Sequence, residues 1–135
     1  MTDYLLDTNH LAKLIIPTHP LTKRIHKQIR FGDTFSVPSP ALAEMLYGVL
    51  LLSRAEEAMS NWEQYRIIFH YYHIDEFDAE EAARLQVRLR REGEQLQTVD
   101  ALIAVVAIRY DLTLLTTDAD FHAISELNVE NWLTT

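Results

Sequence analysis

The chain contains no cysteine. Disulfides and thiolate metal sites are therefore excluded, and a reducing, cytoplasmic setting is expected. No apolar run approaches the roughly 18 residues of a membrane span, so no membrane association is expected. No basic leader precedes the strand-like run that starts just after Asp3, so a signal peptide is not expected. Basic residues are in the minority, with Lys plus Arg at 12 against 20 Asp plus Glu, for a formal charge of −8. That balance argues against a protein that simply coats nucleic-acid phosphates. It leaves open a site in which acidic residues hold a divalent cation, since such residues count as negative but present positive charge when loaded. The 6 histidines show neither HxH nor HExxH spacing, so a zinc site is not expected. Glycine is scarce, at 3 residues, and the 4 prolines punctuate the chain. Pro17 and Pro20 close the first helical segment, and Pro38 and Pro40 open another.

What is present is a core-forming composition. With 135 residues, 48% of them hydrophobic, the chain fits a single domain spanning 1–135, with no linker or internal repeat. Strand-like runs fall at Tyr4 to Asp7, Thr34 to Val37, Tyr71 to Ile74 and Leu112 to Leu115, with Val129 to Trp132 as a candidate last strand. Helical patterns cover His10 to Ile16, Leu21 to Phe31, Ala55 to Phe69, Ala79 to Arg91 (ended by Gly93) and Val99 to Tyr110, and Phe121 to Ser125 reads as a helical turn. A further helix starts with Ser39 as N-cap and Pro40 at the first helical position, and runs to about Ser53. This alternation predicts a three-layer α/β/α sandwich around a mostly parallel sheet.

Four isolated carboxylates interrupt or edge apolar runs: Asp7, Glu44, Asp100 and Asp118. Asp7 ends the first strand and Asp118 follows the Leu112–Leu115 strand. Glu44 and Asp100 stand in the first turns of helices. Parallel α/β connectivity puts strand C-termini and helix N-termini on one edge, where such sheets bind ligands. Each residue has a plain structural reading of its own. Asp7 fits a helix cap and Asp100 a first-turn acid favoured by the helix dipole. Asp118 or Asp120 fits a turn, with Asp120 the better cap for the Phe121 segment. Glu44 is the hardest to explain, because it is the only charge in a helix that reads as apolar all round and therefore buried. Taken together, the four predict one shared cation site. Oxygen donors suit Mg²⁺ or Mn²⁺, and the matching chemistry is in-line displacement at phosphorus by an activated water.

The residues that carry this pattern also carry a resemblance. Asp7-Thr8-Asn9, Ala43-Glu44-Met45-Leu46-Tyr47-Gly48, Val99-Asp100-Ala101-Leu102-Ile103-Ala104 and Leu115-Thr116-Thr117-Asp118-Ala119-Asp120-Phe121 together resemble the PIN domain, and within it the VapC-like toxins of type II toxin–antitoxin pairs. The resemblance covers essentially the whole chain, with the motifs in order. It implies a Rossmann-like sheet and a Mg²⁺- or Mn²⁺-dependent ribonuclease acting on RNA. It also implies a homodimer or larger assembly and inhibition by a cognate antitoxin. The −8 charge suits an antitoxin with a basic segment. Asp7, Glu44, Asp100 and Asp118 match the family's acidic quartet, and Asp120 competes for the fourth place. Thr8 matches a position whose hydroxyl bonds a carboxylate or a metal water, and Asn9 the position after it. Two other readings stay open. One is a phosphohydrolase of small esters working through an aspartyl nucleophile, against which stands Asn9 where one such class has a second Asp. The other is a non-catalytic module whose acidic groove takes a basic peptide.

Arg84-Leu85-Gln86-Val87-Arg88-Leu89-Arg90-Arg91 is the densest basic stretch. It reads either as a guide for an RNA backbone or as a solvated face in which Glu80, Arg84 and Arg88 form an i, i+4 ladder. Lys23, Arg24, Lys27 and Arg30 carry the same ambiguity. Trp62, Trp132, Tyr71 and Tyr72 read as core or interface rather than base-stacking platforms.

Overall fold

The computed structural model describes residues 1–133. Five parallel strands form one sheet in the order β3-β2-β1-β4-β5. They are β1 (Asp3–Leu6), β2 (Thr34–Pro38), β3 (His70–Tyr72), β4 (Thr113–Leu115) and β5 (Val129–Glu130). The helices are α1 (Thr8–Ala12), α2 (Pro20–Arg30), α3 (Ser39–Leu50), α4 (Ala55–Tyr65), α5 (Glu76–Arg91) and α6 (Thr98–Arg109). Short 3₁₀ turns cover Lys13–Ile15, Arg66–Ile68 and Ala119–Ala123. No helix among the described residues is long and apolar enough to cross a membrane.

The two-residue period of the strands sorts their side chains into the two helical layers. Leu5 and Leu114 pack with Leu85, Leu89, Ile103 and Val106 of α5 and α6. Tyr4, Leu6 and Leu115 pack on the opposite face with Leu11, Ile25, Met45 and Trp62, from α1 to α4. Central strands covered on both faces are expected to read as unbroken apolar runs, and Leu5, Leu6, Leu114 and Leu115 are all 0% exposed. Truncating any one of them to alanine costs about 2–5 kcal/mol in a well-packed core.

The chain winds from β1 out to β3 and then returns to place β4 on the other side of β1. The crevice between the C-terminal ends of β1 and β4 is thus the topological switch point, where ligands bind in open parallel sheets. Register places Leu6 opposite Leu115. Asp7 and Thr116 are therefore the first residues beyond the ladder on each strand, and the Asp7 N–H donates to the Leu115 carbonyl at 3.0 Å.

Several element ends differ from the sequence expectation. α5 begins at Glu76 rather than Ala79. Asp75 and Asp78 form a reciprocal capping box, with Asp78 N–H to Asp75 Oδ1 at 3.0 Å and Asp75 N–H to Asp78 Oδ2 at 3.1 Å. α3 starts at Ser39 itself, with Pro38 in the cap position and no side-chain capping bond, so Ser39 is not the N-cap. α3 ends at Leu50 rather than Ser53, and α4 ends at Tyr65, leaving Phe69 extended and stacked on Trp62 at 6.0 Å. β3 is His70–Tyr72 rather than Tyr71 to Ile74. β5 stops at Glu130, because Trp132 leaves the sheet to pack on Tyr4 and Phe35 beneath the Arg24 guanidinium. The Trp132 backbone N–H donates to Nε2 of the fully buried His10 at 3.0 Å.

α3 is also less buried than its composition implies. Ala41, Met45 and Val49 form a buried stripe, but Tyr47, Leu50 and Leu51 are 70%, 62% and 69% exposed. Glu44 is exposed with them. The expected Glu80–Arg84–Arg88 ladder is replaced by other pairings. Arg84 lies 3.9 Å from Glu81, and Arg88 makes a two-pronged bond to Glu126 at 2.7 and 2.9 Å.

Candidate active site at the sheet edge

Asp7 ends β1 and caps α1 with one side chain. Its Oδ1 accepts the Thr8 N–H at 2.8 Å, and its Oδ2 accepts the Thr116 hydroxyl at 2.7 Å. The residue is buried, and burial of a carboxylate is tolerable only with bonds of this kind. The structural and site readings of Asp7 are therefore both realised. The Thr116 hydroxyl in turn accepts the Asp118 N–H at 3.1 Å. A single buried threonine thus links the ends of β1 and β4 and fixes the first step of the chain toward Asp118.

Asp118, half-buried, accepts the Asp120 N–H on Oδ1 at 2.9 Å and so caps the Ala119–Ala123 turn. This reverses the expected assignment of the cap to Asp120, which is exposed. One oxygen of Asp118 remains outside that bond.

Asp100 stands in the first turn of α6, half-buried. Its carboxyl is pushed up to about 6, first by burial and then by the negative charges of Asp7, Asp118, Glu44 and Asp120, in that order. The five acidic residues thus share one field, although they come from both flanks of the sheet and lie far apart in sequence. Asp7, Asp100 and Asp118 form its centre. Glu44 and Asp120 are exposed contributors at the margin.

The supporting polar residues depart from expectation. The Thr8 hydroxyl is buried with no hydrogen-bond partner among the described residues, so it does not hold a carboxylate there. That duty falls to Thr116. Asn9 Nδ2 donates to the Thr117 hydroxyl at 2.8 Å, tying the α1 end of the site to the β4 loop. Neither Thr116 nor Thr117 stands out in sequence, where Thr116-Thr117-Asp118 reads as turn chemistry. The detectable signal was register, since the residue after a strand's last apolar position faces the residue after its neighbour's.

The donor set fits a hard divalent cation. It consists of carboxylate and hydroxyl oxygens, the charges acting most strongly on Asp100 are all negative, and Thr8 leaves an orphaned buried hydroxyl beside Asp7. Among the described residues, no three Asp, Glu or His side chains close into a ready-made cage. That is compatible with a cation that retains waters and takes one or two carboxylates directly.

Fold and site together define a three-layer α/β protein with an acidic cluster at the switch point of a parallel sheet. The chain belongs to the PIN domain family, whose model matches residues 4–127. That family is one of nucleases that generally use divalent metal ions. The structure is similar to a chain of VapBC2 from Rickettsia felis bound to a promoter DNA fragment, at 25% identity and a TM-score of 0.85, covering 97% of this chain and 99% of that one. A chain of DNA-bound VapBC from Salmonella typhimurium shares the fold at 21% identity and a TM-score of 0.82, covering 98% and 99%. VapC20 of Mycobacterium tuberculosis, a toxin that cleaves the sarcin–ricin loop, shares it at 16% identity and a TM-score of 0.66, covering 90% and 95%. No curated protein matches the chain.

Proposed function

We propose that the chain is a Mg²⁺- or Mn²⁺-dependent endoribonuclease and the toxin of a toxin–antitoxin pair, acting as one nuclease domain. The observation that carries this reading is the convergence of Asp7, Asp100 and Asp118 on the β1/β4 crevice, with Asp100 pushed up to about 6. Burial contributes most to that rise, and the neighbouring negative charges that add to it also favour a bound cation. One or two of Asp7, Asp100 and Asp118 would hold the ion directly and the rest through its waters, with Glu44 contributing from the exposed side of α3. When bound, a divalent cation supplies charge stabilisation for a phosphoryl oxygen and a more acidic water.

The protein's own residues set the geometry. Thr116 and the Thr8 N–H orient both oxygens of Asp7, and the Asp118 N–H bond to Thr116 keeps the two loops in step. Burial of Asp7 and half-burial of Asp100 strengthen the local electrostatics relative to bulk water.

The matched chains from Rickettsia felis and Salmonella typhimurium are parts of VapBC assemblies. An antitoxin with a basic segment suits the acidic site of this chain and its charge of −8. A second copy of the chain is the reading we give to the exposed apolar side chains at the C-terminal half of α3 and just after it, Tyr47, Leu50 and Leu51.

The test is cleavage of defined single-stranded RNAs by the purified chain with Mn²⁺, Mg²⁺ or EDTA. Cleavage with either metal and none in EDTA is expected. RNA left intact in every metal would sink the proposal.

A further inference from the structure

We infer that the C-terminal half of α5 and the loop leading into α6 form a backbone-binding track that carries single-stranded RNA to the carboxylate site, with Arg90 as its phosphate contact. This rests on the ribonuclease reading and adds a positioning surface to it. A groove of about 670 Å³ lies between α5 and the following loop, lined by Gln86, Val87, Arg90, Gln95 and Leu96 among others. Gly93 shapes it by adopting φ +82, a conformation that favours glycine. The Glu94 N–H then bonds the Leu89 carbonyl at 2.9 Å and turns the chain back along the helix.

Gln86 fixes the position of this groove relative to the site. Its Nε2 donates to the Leu96 carbonyl at 2.9 Å and the Thr98 hydroxyl at 3.2 Å, holding the loop and the first residue of α6 against α5. Asp100 lies in that same first turn of α6. Leu96 and Asp100 are four positions apart, so their Cα atoms lie within about 14 Å even if that stretch were fully extended. The Leu96 end of the groove is thus tied to the helix turn that carries Asp100.

The arginines of α5 and α6 divide by partner. Arg88 is held by Glu126, Arg109 by Asp75 and Asp78, and Arg84 lies within 3.9 Å of Glu81. Arg90 and Arg91 have no carboxylate partner among the described residues. Both are exposed, and Arg90 stands in the groove itself. A favourable interaction with the end of the α5 dipole accounts for a basic last turn. It does not account for an unpaired arginine standing with the Gln95 amide in a groove whose loop leads into the helix turn of Asp100. Glu94 on the rim repels phosphate, so the strand is held on the Arg90 side. No aromatic ring lines the groove, so it offers no stacking platform and reads the backbone rather than the base.

The experiment compares parent, Arg90→Glu, Arg90→Lys and a charge-matched control on the distant helix α2, Lys27→Glu. Far-UV circular dichroism and thermal melting check that each folds. Cleavage kinetics give KM and kcat, and fluorescence anisotropy with a labelled single-stranded RNA in EDTA gives affinity with the chemistry off. Arg90→Glu is expected to raise KM and Kd about tenfold, leave kcat within about twofold, and flatten the salt dependence of log K by about 0.7, as for one lost single-strand phosphate contact. The loss should be similar across RNA sequences, Arg90→Lys should restore most of it, and Lys27→Glu should match the parent. If Arg90→Glu behaves like Lys27→Glu, or weakens antitoxin binding but not RNA binding, the track is wrong while the ribonuclease reading stands. If the parent binds RNA through Arg90 but never cleaves it, the track stands and the ribonuclease reading fails. If the parent neither binds nor cleaves RNA, both fail.

Discussion

The Thr116 hydroxyl donates a buried 2.7 Å hydrogen bond to Oδ2 of Asp7, joining two strand ends 109 residues apart in sequence. It also accepts the Asp118 N–H, so one side chain sets the relation of two site carboxylates. Thr116→Val keeps the shape and removes both bonds. Groups that orient metal ligands are worth about ten- to hundredfold in metal affinity. We expect Mn²⁺ affinity to fall by that range, with stability down by about 1–3 kcal/mol from the unsatisfied buried carboxylate. Calorimetric Mn²⁺ titration beside a thermal melt checks both, and unchanged Mn²⁺ affinity would show that Thr116 only supports the fold.

Asp100 predicts opposite effects on stability and metal binding. Its carboxyl titrates at about 6 in the folded chain, raised by burial and then by its acidic neighbours. A raised folded value means that its contribution is most favourable below the ordinary value near 4 and is lost as pH rises through 6. At pH 7.5 the metal-free protein therefore carries a penalty there. Because the group is partly exposed, water screens that penalty to the order of 1 kcal/mol. Asp100→Asn is expected to melt higher than the parent in EDTA at pH 7.5 and to lose the stabilisation that Mn²⁺ gives the parent. In the parent, Mn²⁺ affinity should fall as pH drops through 6, because protons compete for the same oxygens. A lower melting temperature for Asp100→Asn in EDTA would contradict the assignment.

His10, in the helix that Asp7 caps, gives a second pH window. It is fully buried, accepts the Trp132 N–H on Nε2, and leaves Nδ1 without a partner among the described residues. Burial, then the Arg24 charge, pushes its value down to about 4. The unfolded chain thus binds the extra proton first, and stability falls as pH drops from 6.5 toward 4. The loss is on the order of 2 kcal/mol after allowing for screening. His10→Gln should flatten the melting profile across that window, and a profile as steep as the parent's would show that other groups are responsible.

Much of this was legible in the sequence, for physical reasons that can be named. Tyr4-Leu5-Leu6 and Leu112 to Leu115 read as buried strands because both faces of a central parallel strand are covered. The edge position of Asp7, Asp100 and Asp118 followed from parallel connectivity. Pairings set by tertiary register were not legible. Thr116 looks like any turn threonine until β4 is laid beside β1. Asp75-x-x-Asp78 escaped notice because the first turn of α5 carries the half-exposed Phe77 rather than a buried apolar residue. The apolar sequence of α3 implies burial, but Tyr47 and Leu50 in it and Leu51 just after it are exposed. Composition alone does not separate a core helix from one with an exposed apolar side.

That surface carries its own prediction. If a second copy covers Tyr47, Leu50 and Leu51, then Leu50→Glu with Leu51→Glu should shift the chain to a monomer in light scattering, with little change in its melting temperature measured at low concentration. A parent already monomeric at tens of micromolar would remove the second copy from the account.

The most direct measurement of the central claim is the rate of metal-dependent RNA cleavage by Asp7→Asn beside the parent, with circular dichroism confirming that both are folded. The substitution keeps an acceptor oxygen for the Thr8 N–H or Thr116 and removes the charge. A fall of roughly a hundredfold or more is expected, the scale seen when one preorganised charge-stabilising group is lost. Folded Asp7→Asn protein that cleaves RNA as fast as the parent would contradict it.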